Sequence, residues 1–138
     1  MRVLVDTTIW SLALRRKRPD SNEQILIDEL SELVTELRAV LVGPIRQEIL
    51  SGISDPSKFE IVRQHLEPFD DLPILKTDYE EAARIFNVCR KKGIQGSHID
   101  FLICAVAMKN SVAVFTTDKD FTNYAKHLNL ELHESRKG

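Results

Sequence analysis

The fold is decided by one stretch near the amino terminus, RVLVDTTIWSLA at residues 2–13. It opens with a short apolar run that ends at Asp6, and two threonines then precede the apolar pair Ile9 and Trp10. A short apolar run predicts a buried strand, and Asp and Thr ahead of a periodic apolar pattern predict the start of a helix. The stretch therefore predicts a strand, a turn and a helix, with a carboxylate at the turn.

The same pattern recurs further along the chain. Residues 40–42 form a second apolar run, and Pro44 suits the first turn of the helix that follows. Residues 112–115 form a third run, which ends just before Thr116, Thr117 and Asp118. Short strands that alternate with helices predict an α/β domain. We expect three layers in a Rossmann-like arrangement, with a central, mostly parallel sheet flanked by helices.

Weaker signals predict the remaining elements. A helix is expected from Ser21, which forms a capping-box pattern with Gln24, and its apolar stripe extends to Leu37. The acids of that helix are expected on the opposite face. Two further strands are predicted at residues 73–75 and 130–132.

Length and composition indicate one globular domain over residues 1–138, because 43% of the residues are apolar and 29% are charged. Cys89 and Cys104 lie in apolar, helix-like stretches and are not needed as a bridge, which favours a reducing, cytoplasmic setting. The longest apolar run, residues 101–108, is too short for a membrane span. Membrane and secretory roles are therefore disfavoured.

The net charge of −2 does not by itself attract a polyanion, so any contact with nucleic acid must come from local patches. Two basic runs are present, at residues 15–18 and 90–92. Each is open to two interpretations, because cations are also favourable at the carboxyl end of a solvated helix.

Two acids are expected at the same edge of the sheet. Asp6 and Asp118 each follow a predicted strand, and the carboxyl ends of parallel strands share one edge, where ligands bind near the point at which strand order reverses. Taken singly, each is also a good helix N-cap. Two carboxylates in one site repel each other unless a cation lies between them.

Two more acids belong to the same hypothesis. Glu48 flanks the buried stripe of its helix, although an exposed Glu near a helix start explains it equally well. Asp100 is the sole acid on an otherwise apolar helix, although Ser97 and Asp100 also form a capping signature. A site built from carboxylates alone suits Mg²⁺ or Mn²⁺, and such ions serve phosphate chemistry. Asp120 is a further candidate ligand.

Four segments in this order resemble the PIN domain of VapC-type toxins over essentially the whole chain: VDTTIW at 5–10, PIRQEIL at 44–50, SHIDFLICAVA at 97–107 and FTTDKDF at 115–121. The resemblance implies a Rossmann-like, metal-dependent endoribonuclease that uses Mg²⁺ or Mn²⁺ to cut RNA. It further implies a cognate VapB-type antitoxin and a homodimer.

The resemblance also implies roles for individual residues. The family's catalytic and metal-binding acids match Asp6, Glu48, Asp100 and Asp118, with Asp120 as an auxiliary metal ligand. The auxiliary polar positions of the family match Thr8 and Thr116.

Contacts with the RNA backbone are predicted from position. The first basic run follows the first strand and helix, and a lysine lies beside the fourth acid; the candidates are Arg15, Arg16, Lys17 and Lys119. The place of Trp10 beside Ile9 favours a core role over stacking on a base.

Two alternatives remain open at this point. The first is a non-catalytic α/β binding module whose acids are helix caps, and catalysis without a partner discriminates against it. The second is a phosphatase-like enzyme with Asp6 as nucleophile. Such sites often have a second Asp two residues on, where this chain has Thr8.

Overall fold

The computed structural model describes residues 1–15 and 18–137. The strands in those ranges are β1 (Val3–Val5), β2 (Ala39–Val42), β3 (Asp71–Leu72) and β4 (Ala113–Phe115). The helices in those ranges are α1 (Thr7–Leu14), α2 (Ser21–Thr35), α3 (Gly43–Ser51), α4 (Pro56–Leu66), α5 (Lys76–Lys91), α6 (His98–Asn110) and α7 (Lys119–Ala125).

The four strands form one parallel sheet in the order β3-β2-β1-β4. The chain builds outward from β1 through β2 to β3 and then returns to place β4 on the other side of β1, where Val5 is in register with Phe115. Strand order therefore reverses between β1 and β4, which is where open α/β sheets bind ligands. The predicted α/β architecture is confirmed.

The crossover rule explains how the helices flank the sheet. Right-handed connections in one direction place α1 to α4 on one face, and the return connection places α5 and α6 on the other. The contacts agree with this division, because α1 packs on α2 and α3 while α5 packs along α6. The apolar run of α6 is buried over residues 101–107, as its sequence predicts.

The start and end of α2 differ from the prediction. The helix is capped by Asp20, whose carboxylate accepts from the N–H of Glu23 while the Glu23 side chain accepts in return, so the predicted pairing of Ser21 with Gln24 is wrong. Leu37 lies beyond the helix, 88% exposed, with φ of 60° in the turn that leads into β2. The stripe therefore stops one turn earlier than its spacing predicts.

The two weak strands also differ. The third strand is Asp71–Leu72 and not residues 73–75, because Pro73 has no N–H to continue the ladder with β2. Residues 130–132 form only one isolated bridge, between Leu132 and Val114. None of the helices in the described ranges has the length and apolar character of a membrane span.

Candidate active site

Asp6 lies at the end of β1, beside the switch point of the sheet. It occupies the N-cap position of α1, but its side chain makes no capping hydrogen bond. Its Oδ2 instead accepts from Thr116 Oγ1 at 2.7 Å and from Thr8 Oγ1 at 3.3 Å. The N-cap alternative therefore does not account for this carboxylate, which is turned across the sheet edge towards the end of β4.

Burial raises the pKa of Asp6 above its ordinary value, and the hydrogen bond from Thr116 offsets only part of that effect. The residue is 6% exposed, and the negative charge of Glu48 raises its pKa further. A buried carboxylate held by neutral hydroxyls is therefore costly to ionise unless a cation approaches it.

Thr116 links the ends of the two strands. Its Oγ1 donates to Asp6 and accepts from the N–H of Asp118 at 3.0 Å. On the other side, Thr8 Oγ1 accepts from the N–H of Thr117 at 3.1 Å. The two auxiliary polar residues predicted from the sequence thus lie between Asp6 and the loop that carries Asp118.

Three carboxylates form a close cluster beside this link. One oxygen each from Asp100, Asp118 and Asp120 lies within 4.8 Å of the other two. Asp118 is also the N-cap of α7, because its Oδ1 accepts from the N–H of Asp120 at 2.9 Å. Capping and membership of the cluster are therefore compatible, since one oxygen caps the helix and the other is left available.

Asp100 reaches the cluster from the first turn of α6. It is not the cap of that helix, because Ser97 Oγ accepts from the N–H of Asp100 at 3.0 Å. Its own Oδ2 accepts from the Tyr124 hydroxyl at 2.7 Å. Burial and this bond to Asp100 raise the pKa of Tyr124 well above its usual value, so the phenol stays protonated as a donor.

Glu48 lies on the exposed side of α3, outside the three-carboxylate cluster. It lines a groove of about 400 Å³ between α1, α3 and α4, together with Arg15 and Lys58. We refer to Asp6, Glu48, Asp100, Asp118 and Asp120 as the acidic site.

No ion pair in the described ranges involves a residue of the acidic site. Within the described ranges its hydrogen-bond donors are hydroxyls, a phenol and backbone N–H groups, all of them neutral. The negative charge that gathers here is therefore not neutralised by the described part of the chain.

The residues predicted to contact RNA differ in whether their charge is already paired. Arg15 forms an ion pair with Glu23, so its guanidinium is already engaged. Lys119 is exposed directly after Asp118. Arg16 and Lys17 lie outside the described residues.

Two residues of the site were missed by the sequence analysis. Nothing in the local sequence singles out Tyr124, although its hydroxyl holds Asp100. Gly96 matters because a Cβ there would lie 2.3 Å from the Tyr124 hydroxyl oxygen and 2.9 Å from the Phe101 ring. In the sequence, an aromatic residue after Asp118 and a glycine before Asp100 are weak signals, because only the folded chain brings the two into contact.

Comparison with known proteins places this geometry in a family. Residues 3–127 match the PIN domain. The VapC ribonuclease Mb1587 of Mycobacterium bovis is 28% identical over 133 residues, which cover 94% of this chain and 96% of the relative.

Solved structures share the fold. FitAcB from Neisseria gonorrhoeae superposes with a TM-score of 0.77 at 21% identity, covering 96% of this chain and 97% of that one. VapBC-5 from Mycobacterium tuberculosis, described as a member of the VapBC family of toxin-antitoxin systems, has a TM-score of 0.66 at 16% identity, covering 95% and 96%.

Proposed function

Because the chain belongs to the PIN domain family, we propose that it is a divalent-metal-dependent endoribonuclease of the VapC type. The observation that carries this proposal is the acidic site, where oxygens of Asp100, Asp118 and Asp120 lie within 4.8 Å of one another and no cation of the described chain pairs with any of the five acids. The names of the curated relatives, which are VapC ribonucleases, support RNA as the substrate.

The residues present fit a hard divalent cation. Every side-chain atom that the acidic site offers as a metal ligand is a carboxylate oxygen. Mg²⁺ and Mn²⁺ prefer such oxygens to the nitrogen and sulfur ligands of zinc sites. The raised pKa of Asp6 is the electrostatic signature of a buried negative charge without a counter-ion. In the proposal, Asp6, Glu48, Asp100 and Asp118 hold the metal, with Asp120 as an auxiliary ligand.

A bound Mg²⁺ or Mn²⁺ supplies Lewis acidity and positive charge for hydrolysis of a phosphodiester. The protein's own contribution is to fix the ligands. Thr8 and Thr116 orient the Asp6 carboxylate, and Tyr124 orients that of Asp100. Neutral donors of this kind hold a carboxylate in place without cancelling its charge, so they act as positioning residues.

Basic residues around the acidic site hold the RNA backbone in this proposal. Lys119 follows Asp118 directly, and Arg15 lines the groove beside Glu48; Arg16 and Lys17 complete the set by sequence. Contacts of this kind position a strand without reading its bases.

The proposal also includes a partner and a setting. VapBC-5 of Mycobacterium tuberculosis is described as a member of the VapBC family of toxin–antitoxin systems, which supports a toxin role and a cognate VapB-type antitoxin. We further propose a cytoplasmic homodimer in which residues 1–138 act as a single catalytic domain.

The direct test is RNA cleavage with Mg²⁺ or Mn²⁺ and with EDTA. We expect cleavage only with metal, and none in Asp6→Asn or Asp100→Asn, since each replaces a charged ligand by a neutral amide. Asp28→Asn is the matched control, because Asp28 is an exposed acid on α2 whose side chain bonds only Gln24 among described residues. Cleavage that persists in EDTA, or in both site variants, refutes the site.

The toxin role is tested in cells. Induction without a partner is expected to arrest growth and to create new transcript 5′ ends, which sequencing detects. A small open reading frame beside the gene is expected to relieve the arrest on co-expression. Growth arrest by Asp100→Asn equal to that of the wild type contradicts a nuclease toxin.

A further inference from the structure

The second basic run has no role in the site described so far. Arg90 and Lys91 are in the last turn of α5 and Lys92 is its C-cap, all three exposed. In the described ranges none of them forms an ion pair, and Arg90 donates only to Asn87 Oδ1 at 3.1 Å. Three cations without carboxylate partners thus lie on a surface that leads, through the loop after Gly93, to the start of α6.

An exposed imidazole is stacked beside this run. His98 is the first residue of α6, and its ring lies on the Phe86 ring with centroids 4.7 Å apart and an interplanar angle of 17°. The Arg90 guanidinium carbon lies 5.4 Å from the centroid of the same Phe86 ring. Because Phe86 covers one face of His98 and the residue is exposed, the imidazole presents its other face outward.

The stack is built on the residues that position Asp100. Phe86 meets Phe101 edge to face at 5.7 Å, and Phe101 packs on Tyr124 at 4.9 Å. Tyr124 in turn donates to Asp100. His98 and Asp100 share the first turn of α6, with Cα atoms about 5.4 Å apart by helix geometry. Side chains two positions apart on a helix do not face each other, so the imidazole is connected to Asp100 through the packed rings and not through a shared helix face.

We propose that His98, backed by Phe86, is a base-stacking subsite for single-stranded RNA at the start of the helix that carries Asp100, with Arg90, Lys91 and Lys92 holding the adjoining backbone. The inference rests on the proposed ribonuclease function. A flat ring beside unpaired cations is the combination that binds single strands, since every base offers a π-face and every nucleotide a phosphate. Trp10 does not serve this purpose, because it is 5% exposed and packs on Phe69.

Binding is measured in the Asp6→Asn background with Mg²⁺, so that RNA is not consumed. The probe is a short random-sequence single-stranded RNA with a fluorophore at one end and 2-aminopurine at internal positions. His98→Ala is expected to weaken binding about 5- to 150-fold, the range for loss of one stacked base, and to relieve the quenching of 2-aminopurine. His98→Phe keeps a flat ring and is expected to restore both.

Two variants guard against a purely structural effect. His98→Leu still covers Phe86 but has no π-face, so it is expected to bind as weakly as His98→Ala while melting like the parent. His65→Ala removes an exposed histidine on α4 and is expected to change neither signal.

The basic run is tested by salt dependence. Replacing Arg90, Lys91 and Lys92 by Gln is expected to lower the slope of log affinity against log salt by up to about 2, since each single-strand phosphate contact contributes about 0.7. Arg84→Gln, on the same helix, is the control and is expected to leave the slope unchanged.

The outcomes separate this inference from the proposed function. If the wild type cleaves RNA and His98→Ala binds as His65→Ala does, the subsite is overturned and the ribonuclease stands. If His98→Ala weakens capture of the antitoxin but not of RNA, the surface belongs to a protein partner and the subsite is again overturned. If the wild type neither binds nor cleaves any RNA with Mg²⁺, both proposals fail.

Discussion

Two groups of carboxylates in this molecule differ in what neutralises them. The first, which we call the α2 acids, consists of Glu29, Glu32 and Glu36, and Arg136 pairs with all three. His133 adds a bond to Glu29 at 2.6 Å. The second is the acidic site, where the hydrogen-bond donors from the described residues are neutral.

The two groups differ in whether their hydrogen-bond donors carry positive charge. Glu29 is 2% exposed and Asp6 is 6% exposed, so burial raises the pKa of both. For Glu29, the hydrogen bonds from His133 and Arg136 outweigh burial, and its pKa falls below the ordinary value. For Asp6, hydroxyl donors do not outweigh burial, and its pKa stays raised. The α2 acids are therefore neutralised within the described chain, whereas the acidic site is the group for which we propose a cation from outside.

The largest expected difference between the two groups is in catalysis. Asp118→Asn is expected to reduce RNA cleavage more than about 100-fold, because loss of a ligand exceeds the 10- to 100-fold cost of losing a residue that only orients one. Glu32→Gln, in the α2 acids, is expected to cleave as the wild type does. Initial rates at saturating Mg²⁺ measure both variants. Equal rates would contradict the proposed difference between the acidic site and the α2 acids.

The next largest expected effect is on stability, and here a substitution in the α2 acids is expected to have the larger effect. Glu29→Gln is expected to lower the free energy of unfolding by about 1.5–3 kcal/mol, because the buried carboxylate that accepts from His133 and Arg136 is replaced by a neutral amide. Arg136 keeps its ion pairs with Glu32 and Glu36 in this variant. Urea denaturation measures the loss, and Glu32→Gln is expected to stay within about 0.5 kcal/mol of the wild type.

The same variant gives a signed pH dependence. A lowered pKa means that Glu29 stabilises the fold above its ordinary value of 4.5 and loses this contribution as the pH falls through the folded-state value. The stability gap between wild type and Glu29→Gln is therefore expected to close at acid pH. A gap that widens there contradicts the assignment.

Overpacking at Gly96 is expected to have a smaller effect. Gly96→Ala places a methyl group against the buried Tyr124 and Phe101, at a cost of about 1–2 kcal/mol. Because Tyr124 holds Asp100, cleavage is expected to fall as well. Gly43→Ala is the matched control, since a Cβ at Gly43 meets nothing within 4 Å. Equal stability and activity in the two variants would contradict this packing argument.

The smallest effect is the one that tests the raised pKa of Asp6. In EDTA at neutral pH, Asp6→Asn is expected to melt slightly above the wild type, because the amide avoids the cost of burying a charge. A raised pKa means that the wild type loses stability as the pH rises past the ordinary value of 3.8, so the advantage of Asn is expected to grow with pH. Melting scans across pH measure it, and a lower midpoint for Asp6→Asn in EDTA contradicts it.

The sequence predicts that Asp6 and Asp118 lie at the same edge of the sheet, because that depends only on where the strands end. Asp6 directly follows one short apolar run, and Asp118 follows another after two threonines. Parallel strands bring their carboxyl ends to one edge whatever the loops between them do. The apolar pattern of α6 likewise predicts its burial without reference to any other element.

Other features could not be predicted because their partners are distant in the chain. Glu29 was expected on the polar face of α2, but His133 and Arg136 cover it, more than a hundred residues away. The roles of Tyr124 and Gly96 likewise depend on how α7 meets α6. Local periodicity predicts whether a helix face is apolar or polar. It does not predict which distant side chain contacts that face.

The most direct test of the unneutralised acidic site is thermal unfolding with added Mn²⁺. At a hundred times its dissociation constant, an ion that binds only the folded state adds about 2.7 kcal/mol of stability. We expect the wild-type melting temperature to rise with Mn²⁺ and that of Asp118→Asn to rise much less. Equal shifts in the two proteins, or no shift in the wild type, would contradict the account.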